Sequence, residues 1–257
     1  MKTIPDGYQA APDLLKERII LVTGAGSGLG AEAAKTFAAH GATVILLGPI
    51  VRELEMVYDA IEQAGHPQPA IYPMDLEGAH YGNHEELAAT LEKEFGRLDG
   101  LLHNAALLGA RMMVEQFDLK LWARIMQINV NAPFMLTRAC LPLLRQSPDA
   151  AILFTSDRVA HHGKAYWGAY GVSKAATDNL MQIVADETET NTPIRANSLD
   201  PGPVATAMRR LAFPAEDPNT IAKPADVMPA YLYLMGPDSR GVTGEIFLVQ
   251  GGQPDTP

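Results

Sequence analysis

A tyrosine and a lysine stand four residues apart in the stretch Tyr166–Ala176, which reads YWGAYGVSKAA. On a helix, Tyr170 and Lys174 would share one face, because residues at i and i+4 are neighbours there. A nearby ammonium favours the phenolate, so we expect the pKa of Tyr170 to lie below its ordinary value of about 10. Such a tyrosine can transfer a proton near neutral pH. The spacing is also common in helices with a half-buried tyrosine and a solvated lysine, so the pair needs support from elsewhere in the chain.

The chain around this pair alternates short apolar runs with segments of helical periodicity. Runs of this length that are rich in β-branched residues are typical of strands buried on both faces of a parallel sheet. We predict strands at Ile19–Thr23, Thr43–Leu47, Ala70–Met74, Leu98–His103, Ala151–Thr155, Ile194–Leu199 and Glu245–Val249. We predict helices at Leu29–His40, Val51–Ala64, Asn83–Phe95, 118–145 with a kink at Pro133, Gly168–Thr188 and Pro224–Met235. The alternation predicts a doubly wound α/β fold of the Rossmann type, with about seven parallel strands and helices on both faces.

No linker, internal repeat or low-complexity run divides the sequence, so we predict a single domain over residues 1–257. Residues 1–18 are interpreted as a polar leader, and the proline-rich residues 203–222 as a lid over the substrate. Within the lid, Met208, Leu211 and Phe213 are candidates for contact with an apolar substrate.

The composition argues against several classes of partner. The net charge of −10 and the pI of about 5.1 argue against binding to nucleic acid or to an anionic membrane. No apolar run is long enough to span a bilayer, and the N-terminal residues do not form a signal peptide. The single cysteine, Cys140, cannot form an internal disulfide and suits a reducing compartment. We therefore expect a cytoplasmic protein.

A glycine-rich loop, Thr23–Gly30 (T-G-A-G-S-G-L-G), joins the first predicted strand to the first helix. Glycines let the backbone approach a pyrophosphate, whose charge is stabilised at the helix N-terminus. A strand before the loop and a helix after it are the context in which such a motif binds a dinucleotide. A nucleoside triphosphate loop is excluded because no Gly-Lys-Ser/Thr follows. We predict cofactor contacts at Gly24, Gly26, Ser27, Gly28 and Leu29.

The ends of the next two strands bear on which dinucleotide is bound. The second strand continues into Gly48 and Arg52 with no carboxylate at its tip, where one would hold an adenosine ribose 2′-hydroxyl. Both residues are predicted cofactor contacts, and Arg52 can pair with a 2′-phosphate. NADP is therefore favoured, while NAD remains possible. Asp75 and Leu76 follow the third strand, where an adenine amino group can be held, although Asp75 is equally well interpreted as a turn residue.

Taken together, the glycine loop and the Y-x-x-x-K pair some 140 residues later resemble the short-chain dehydrogenase/reductase family. Four further matches support this likeness over nearly the whole chain. They are Asn104-Ala105-Ala106 in the place of the family's N-A-G, Asn129 in I-N-V, Pro201-Gly202 with Thr206 as P-G-x-x-x-T, and Thr243-Gly244 with Gly251-Gly252 near the C-terminus. The likeness is greatest to poorly characterised bacterial oxidoreductases that contain W-G-A-Y-x-x-S-K and A-F-P-A-E-D-P.

The resemblance implies roles for particular residues. Tyr170 would be the general acid or base at the substrate oxygen, and Lys174 would lower its pKa and bind the ribose hydroxyls. Asn129 would hold a water that relays protons from the lysine. A hydride would pass between the nicotinamide and a carbonyl or carbinol carbon. The resemblance adds cofactor contacts at Asn104, Ala105, Tyr170, Lys174, Pro201, Gly202, Val204 and Thr206.

The chain departs from the family at one catalytic position. The family places a serine thirteen residues before the tyrosine, where it hydrogen-bonds the reacting oxygen. Asp157 stands there in this chain, and Ser156 is its neighbour. An ionised aspartate only accepts hydrogen bonds and would repel a developing oxyanion. We expect Ser156 to take the catalytic role through a shift at the strand end, with a protonated Asp157 as the alternative.

No metal site is predicted. His161 and His162 are adjacent in a loop, which is a poor spacing for shared metal ligation, and no cysteine or carboxylate cluster supports them. They are candidates for lining the mouth of a substrate site.

These observations lead to three hypotheses about function. The first is an NAD(P)-dependent oxidoreductase that acts on a small-molecule carbonyl or alcohol. The second is a dinucleotide-binding protein with little or no catalysis, in which cofactor occupancy gates a partner. The third is an epimerase or dehydratase on the same fold. The resemblance also implies a homodimer or homotetramer, paired through the helices at 118–145 and 168–188.

Overall fold

The computed structural model describes residues 1–250 and contains a seven-stranded parallel sheet. The strand order is β3-β2-β1-β4-β5-β6-β7, so the chain winds outward from β1 in one direction and then from β4 in the other. The strands are β1 (Ile19–Thr23), β2 (Thr43–Gly48), β3 (Ala70–Pro73), β4 (Gly100–His103), β5 (Ala150–Thr155), β6 (Ile194–Asp200) and β7 (Ile246–Leu248). The predicted doubly wound fold is confirmed. Cofactors in such sheets bind outside the carboxyl ends of the strands, at the point where the order reverses.

Within residues 1–250, eight α-helices connect and cover the strands. They are α1 (Gly28–Ala39), α2 (Val51–Gln63), α3 (Tyr81–Phe95), α4 (Leu119–Met126), α5 (Ala132–Leu144), α6 (Gly168–Glu189), α7 (Ala207–Ala212) and α8 (Met228–Met235). Side chains of a strand alternate between the faces, and β1 shows this directly. Ile20 and Val22 pack on one core with Phe37 of α1, whereas Leu21 packs on the other with Cys140 of α5. Both faces of the sheet are therefore covered.

The helical region predicted at 118–145 is divided into α4 and α5 by a π-helical turn, Gln127–Asn131. Pro133 lies in the first turn of α5, directly after the π-helical turn, so the hydrogen bond that its missing N–H cannot make falls where the helix changes its hydrogen-bonding pattern. The predicted kink is thus a π turn, and it carries Asn129.

The first eighteen residues, interpreted above as a polar leader, are mostly exposed but contact the fold at particular residues. Leu15 is fully buried in the core of the α1 face. The Lys2 N–H donates to the Ile246 carbonyl at 2.8 Å, and the Leu248 N–H donates to the Lys2 carbonyl at 2.8 Å. The segment therefore continues the sheet beyond β7.

Residues 203–222, interpreted above as a lid, form an irregular excursion around α7. The Ala205 N–H donates to the Ala222 carbonyl at 2.8 Å, so the two ends of the segment are tied together. Across residues 1–250, no helix is both long and apolar enough to cross a membrane.

Candidate active site

A cleft of ≈ 230 Å³ lies at the carboxyl ends of β1, β4, β5 and β6. It brings together thirteen of the nineteen residues that the sequence predicted for catalysis or cofactor binding. They are Gly24, Ser27, Gly28, Leu29, Asn104, Ala105, Ser156, Tyr170, Lys174, Pro201, Gly202, Val204 and Thr206. Six other predicted residues do not line it, namely Gly26, Gly48, Arg52, Asp75, Leu76 and Asn129. Gly251 and Gly252 lie outside the described residues.

The glycine loop needs its glycines for steric reasons. A Cβ at Gly30 would lie 2.1 Å from the Gly24 carbonyl oxygen, and one at Gly24 would lie 3.0 Å from the Ala105 backbone. Gly24 and Gly28 also have φ of 66° and 55°, a left-handed conformation that suits glycine. The Thr23 hydroxyl accepts the Asn104 and Ala105 N–H groups at 3.0 and 3.1 Å. These two hydrogen bonds join the loop to the end of β4.

The N-terminus of α1 opens into the cleft in a form that suits a pyrophosphate. Ser27 is the N-cap residue, its side chain makes no capping hydrogen bond, and no acidic residue occupies the first turn. The first N–H groups of a helix have no intrahelical partner and carry a partial positive charge. A dinucleotide therefore fits this loop.

The residues at the end of β2 and the start of α2 are arranged differently from the prediction made from the sequence. Arg52 is exposed at the start of α2, and Gly48 is buried. Glu53, in the first turn of α2, lies against the loop, because a Cβ on Gly26 would come within 3.0 Å of its Oε2. A carboxylate therefore lies near the loop although none stands at the tip of the strand. The feature of the sequence that could have revealed this carboxylate is Glu53 itself, the acidic residue near the start of the second helix.

Asp75 and Leu76 are not directed into the cleft. The Asp75 carboxylate accepts the Glu77 N–H at 3.0 Å, which is the contact of a turn residue. Leu76 is buried at 7% exposure in the core on the α3 and α5 side.

Tyr170 and Lys174 lie one turn apart on α6 and are both buried, at 7% and 5% exposure. The Lys174 Nζ lies 5.6 Å from the centroid of the Tyr170 ring. The same ammonium donates to the Thr155 carbonyl at 2.7 Å, which anchors it to the end of β5. The two groups therefore share one volume, as their spacing predicted.

The predicted direction of the Tyr170 pKa shift is wrong. Burial raises the pKa of Tyr170 well above its ordinary value, and the charge of Asp157 raises it further. Burial also lowers the pKa of Lys174, although the charges of Asp157 and two other carboxylates oppose that shift. The tyrosine is therefore a neutral hydrogen-bond donor.

At the end of β5, Asp157 faces the tyrosine and Ser156 does not. The Tyr170 hydroxyl donates to Asp157 Oδ2 at 3.3 Å. The Ser156 hydroxyl donates to Asp178 Oδ2 at 2.6 Å, and both side chains are buried. The expected shift of Ser156 toward the reacting oxygen is absent, because Asp178 on α6 holds the serine.

Asn129 is buried at 3% exposure in the π-helical turn. Its amide donates to the Leu107 carbonyl at 3.0 Å and to the Ser173 hydroxyl at 2.9 Å, and its carbonyl accepts the Leu107 N–H at 2.7 Å. It therefore fixes the segment after β4 against α6, next to Lys174.

The outer half of the cleft is apolar. Trp167 and Phe213 have ring centroids 5.9 Å apart, and Leu108 and Met208 pack with them. The guanidinium of Arg111 lies 4.8 Å from the Trp167 ring centroid. Trp167 was missed in the sequence, although it stands three residues before Tyr170. Leu211 is 75% exposed and does not line the cleft.

Within residues 1–250, no cluster of histidine, cysteine and carboxylate side chains could hold a metal ion. His161 Nε2 lies 3.4 Å from Asp178 Oδ2, beneath the end of β5. Neither His161 nor His162 lines the cleft.

Known proteins resemble the chain over almost its full length. The family model for short chain dehydrogenases matches residues 18–217. The uncharacterized oxidoreductase YciK of Escherichia coli K12 is 48% identical over 246 residues, which cover 96% of this chain and 97% of YciK.

Two solved structures extend the comparison. A short chain dehydrogenase of Pseudomonas syringae is 55% identical with a TM-score of 0.93, covering 95% of this chain and 98% of the other. A short chain dehydrogenase of Shigella flexneri 2a strain 301, complexed with NADP, is 48% identical with a TM-score of 0.90, covering 93% and 99%. The chain therefore belongs to the short chain dehydrogenase family of oxidoreductases.

Proposed function

We propose that the protein transfers a hydride between NADP(H) and a carbonyl or alcohol substrate, with Tyr170 as the general acid or base. One observation carries the proposal: the glycine loop and the Tyr170 hydroxyl line the same cleft, with Lys174 between the tyrosine and the end of β5. When bound, the nicotinamide supplies or accepts the hydride.

Residues of the chain bind the cofactor, transfer the proton and exclude water. The backbone N–H groups at the start of α1 bind the pyrophosphate, and Lys174 binds the ribose hydroxyls. Tyr170 donates its proton to the carbonyl oxygen during reduction and recovers it during oxidation. Trp167 and Phe213 exclude water from the reacting carbon. Residues 203–222, which include Met208 and Phe213, act as the lid.

NADP is the proposed cofactor for two reasons. A structurally similar short chain dehydrogenase of Shigella flexneri is complexed with NADP, and one of Escherichia coli CFT073 with NADPH. Arg52 is exposed in the first turn of α2, next in sequence to Glu53, and its guanidinium can pair with a 2′-phosphate. Glu53 is the nearby group that would favour NAD. Calorimetry should give an NADPH affinity at least tenfold above that for NADH, and Arg52→Ala should remove this difference. Equal affinities in the unaltered protein would contradict the choice of NADP.

The second candidate function is a dinucleotide-binding protein with little or no catalysis. Asp157 favours it, because a carboxylate 3.3 Å from the Tyr170 hydroxyl replaces a donor to the reacting oxygen. The purified protein should be tested with NADPH on a panel of ketones and aldehydes, and with NADP⁺ on the matching alcohols. Turnover of any member supports the oxidoreductase. Tight NADPH binding without turnover, unchanged by Asp157→Ser, supports the binding protein.

We also propose that the protein forms a homo-oligomer. Val172 and Ile183 on α6 and Phe134 on α5 are about half exposed, and they lie on the two helices through which the resemblance implies pairing. Four other apolar residues of these helices are buried within the chain itself and do not face a second copy, namely Leu136, Ala139, Leu143 and Val184. Light scattering should give a dimer or tetramer, and Ile183→Glu should lower the mass.

A further inference from the structure

The Asp157 carboxylate is fixed at the point where a substrate oxygen would meet Tyr170. Its Oδ2 accepts the Tyr170 hydroxyl at 3.3 Å, and its Oδ1 accepts the Val159 N–H at 3.1 Å. The residue caps the short 3₁₀ turn Arg158–Ala160 and lines the cleft. One oxygen is thus held by the backbone, while the other faces the reaction space.

The orientation of Asp157 is supported by the contacts of its neighbour, Ser156. Ser156 donates to Asp178 at 2.6 Å, and His161 lies 3.4 Å from the same carboxylate oxygen. Ser156 and Asp178 are 3% and 4% exposed, so turning the serine toward Tyr170 would take this hydrogen-bond donor away from a buried carboxylate. Because neighbouring residues of extended backbone point in opposite directions, the hydrogen bond from Ser156 to Asp178 leaves the Asp157 side chain directed at Tyr170.

The Asp157 carboxylate accepts hydrogen bonds from Tyr170 and Val159 and can accept further donors, because its two oxygens together offer about four acceptor positions. The charges of Asp157, Asp178 and Asp200 all oppose the lowering of the Lys174 pKa by burial, and the Lys174 ammonium donates to the Thr155 carbonyl at 2.7 Å. The Nε of Arg158 lies 3.9 Å from Oδ2 of Asp200. A ketone with no other polar group brings only an acceptor oxygen to Asp157, and a carboxylate substrate brings a like charge.

We propose that Asp157 is a specificity-determining residue that selects substrates with a hydroxyl or ammonium group on the carbon next to the reacting carbon. These substrates are α-hydroxy and α-amino ketones and the corresponding vicinal diols and amino alcohols. The adjacent donor binds Asp157 Oδ2, while the reacting oxygen receives the Tyr170 proton. Trp167 and Phe213 then hold an apolar or aromatic substituent on the other side. This inference rests on the proposed function.

Matched aryl ketones test the inference with the NADPH-bound enzyme. The probes are acetophenone and its three derivatives with a hydroxyl, amino or methoxy group on the carbon next to the carbonyl, namely α-hydroxyacetophenone, α-aminoacetophenone and α-methoxyacetophenone. Since a hydrogen bond to a charged group typically changes binding by about 10- to 100-fold, kcat/KM for the hydroxy ketone should exceed that for the methoxy ketone by about this factor. Asp157→Ser should bring the ratio to about one and raise the turnover of acetophenone.

Two further variants separate charge from hydrogen bonding. Asp157→Asn keeps an acceptor but loses the charge, so it should retain most of the hydroxyl preference and lose the preference for the amine. Asp186→Asn removes an exposed carboxylate from α6 and should leave every ratio unchanged. A hydroxy-to-methoxy ratio that is the same before and after Asp157→Ser would overturn the inference.

A binding measurement separates this inference from the proposed function. In the presence of NADP⁺, calorimetry should show that 1-phenyl-1,2-ethanediol binds at least tenfold more tightly than 1-phenylethanol, and that Asp157→Ser abolishes the difference. Binding selectivity without turnover would overturn the proposed function and leave the selectivity of Asp157 standing. Turnover without selectivity would overturn only the inference about Asp157.

Discussion

Asp157 accepts a hydrogen bond from Tyr170 at 3.3 Å, across thirteen residues of the chain. The contact joins the end of β5 to the first turn of α6. A carboxylate acceptor stabilises the neutral phenol, and burial acts in the same direction. The site is thus set to hold a proton on Tyr170.

The first prediction concerns the pH profile of alcohol oxidation. Oxidation needs the phenolate as base, and the pKa of Tyr170 is raised by burial and by Asp157. We expect kcat/KM for oxidation to rise with pH through the alkaline range. Asp157→Ser removes the second cause, so its profile should shift to lower pH. Superimposable profiles for the two proteins would show that Asp157 does not act on Tyr170.

The second prediction concerns the glycine loop. Gly30→Ala places a Cβ about 2 Å from the Gly24 carbonyl oxygen, so the loop must move. We expect NADPH affinity to fall by at least 100-fold in calorimetry. Gly78→Ala is the matched control, because a Cβ there has no atom within 4 Å. Unchanged affinity in Gly30→Ala would mean that the loop does not bind the cofactor.

The third prediction concerns stability at the opposite edge of the sheet. Asp149 is buried at 6% exposure and pairs with Arg18 at 3.0 Å, with Arg240 at 3.2 Å and with Arg195. Removing a buried acidic partner leaves uncompensated cations, at a cost of about 3–5 kcal/mol. Urea unfolding of Asp149→Asn should show this loss. Glu94→Gln, in an exposed pair with Lys93, should change stability by less than about 0.5 kcal/mol. An equally small effect for Asp149→Asn would show that the cluster does not stabilise the fold.

The fourth prediction concerns acid stability. His103 is buried and its Nε2 lies 2.8 Å from the Thr137 hydroxyl, and burial lowers its pKa to about 3. Because the unfolded histidine titrates near 6.5, the unfolded state binds more protons below that pH, and stability falls as pH decreases toward 3. Between pH 7 and pH 5 this amounts to about 2 kcal/mol.

The variant His103→Gln keeps a partner for Thr137 and removes the titration. Its free energy of unfolding should fall by about 2 kcal/mol less between pH 7 and pH 5 than that of the unaltered protein. Equal losses in both proteins would show that His103 does not titrate on unfolding.

The fold and the outline of the site could be predicted because both depend on local patterns. Buried apolar runs alternating with helical segments determine a parallel sheet, and the ends of its strands bring Gly24, Asn104 and Pro201 to one edge. The i and i+4 spacing likewise places Tyr170 beside Lys174.

The direction of Asp157 and Ser156 depends instead on a residue far away in the sequence. Asp178 lies 22 residues beyond Ser156 and holds its hydroxyl. The Tyr170 pKa was predicted in the wrong direction for a related reason. The spacing shows the lysine, but it shows neither the burial nor the carboxylate that outweigh it. The approach of Glu53 to Gly26 is also set by packing between α1 and α2, which no local pattern encodes.

The role of Tyr170 as the proton donor is tested most directly by the turnover of Tyr170→Phe with NADPH and a ketone that the unaltered protein reduces. Loss of a general acid costs about 100- to 10,000-fold in rate, so kcat should fall by at least 100-fold. NADPH affinity should stay within about threefold, because Lys174 and the glycine loop remain in place. A Tyr170→Phe variant that retains its kcat would contradict the role of Tyr170 as the proton donor.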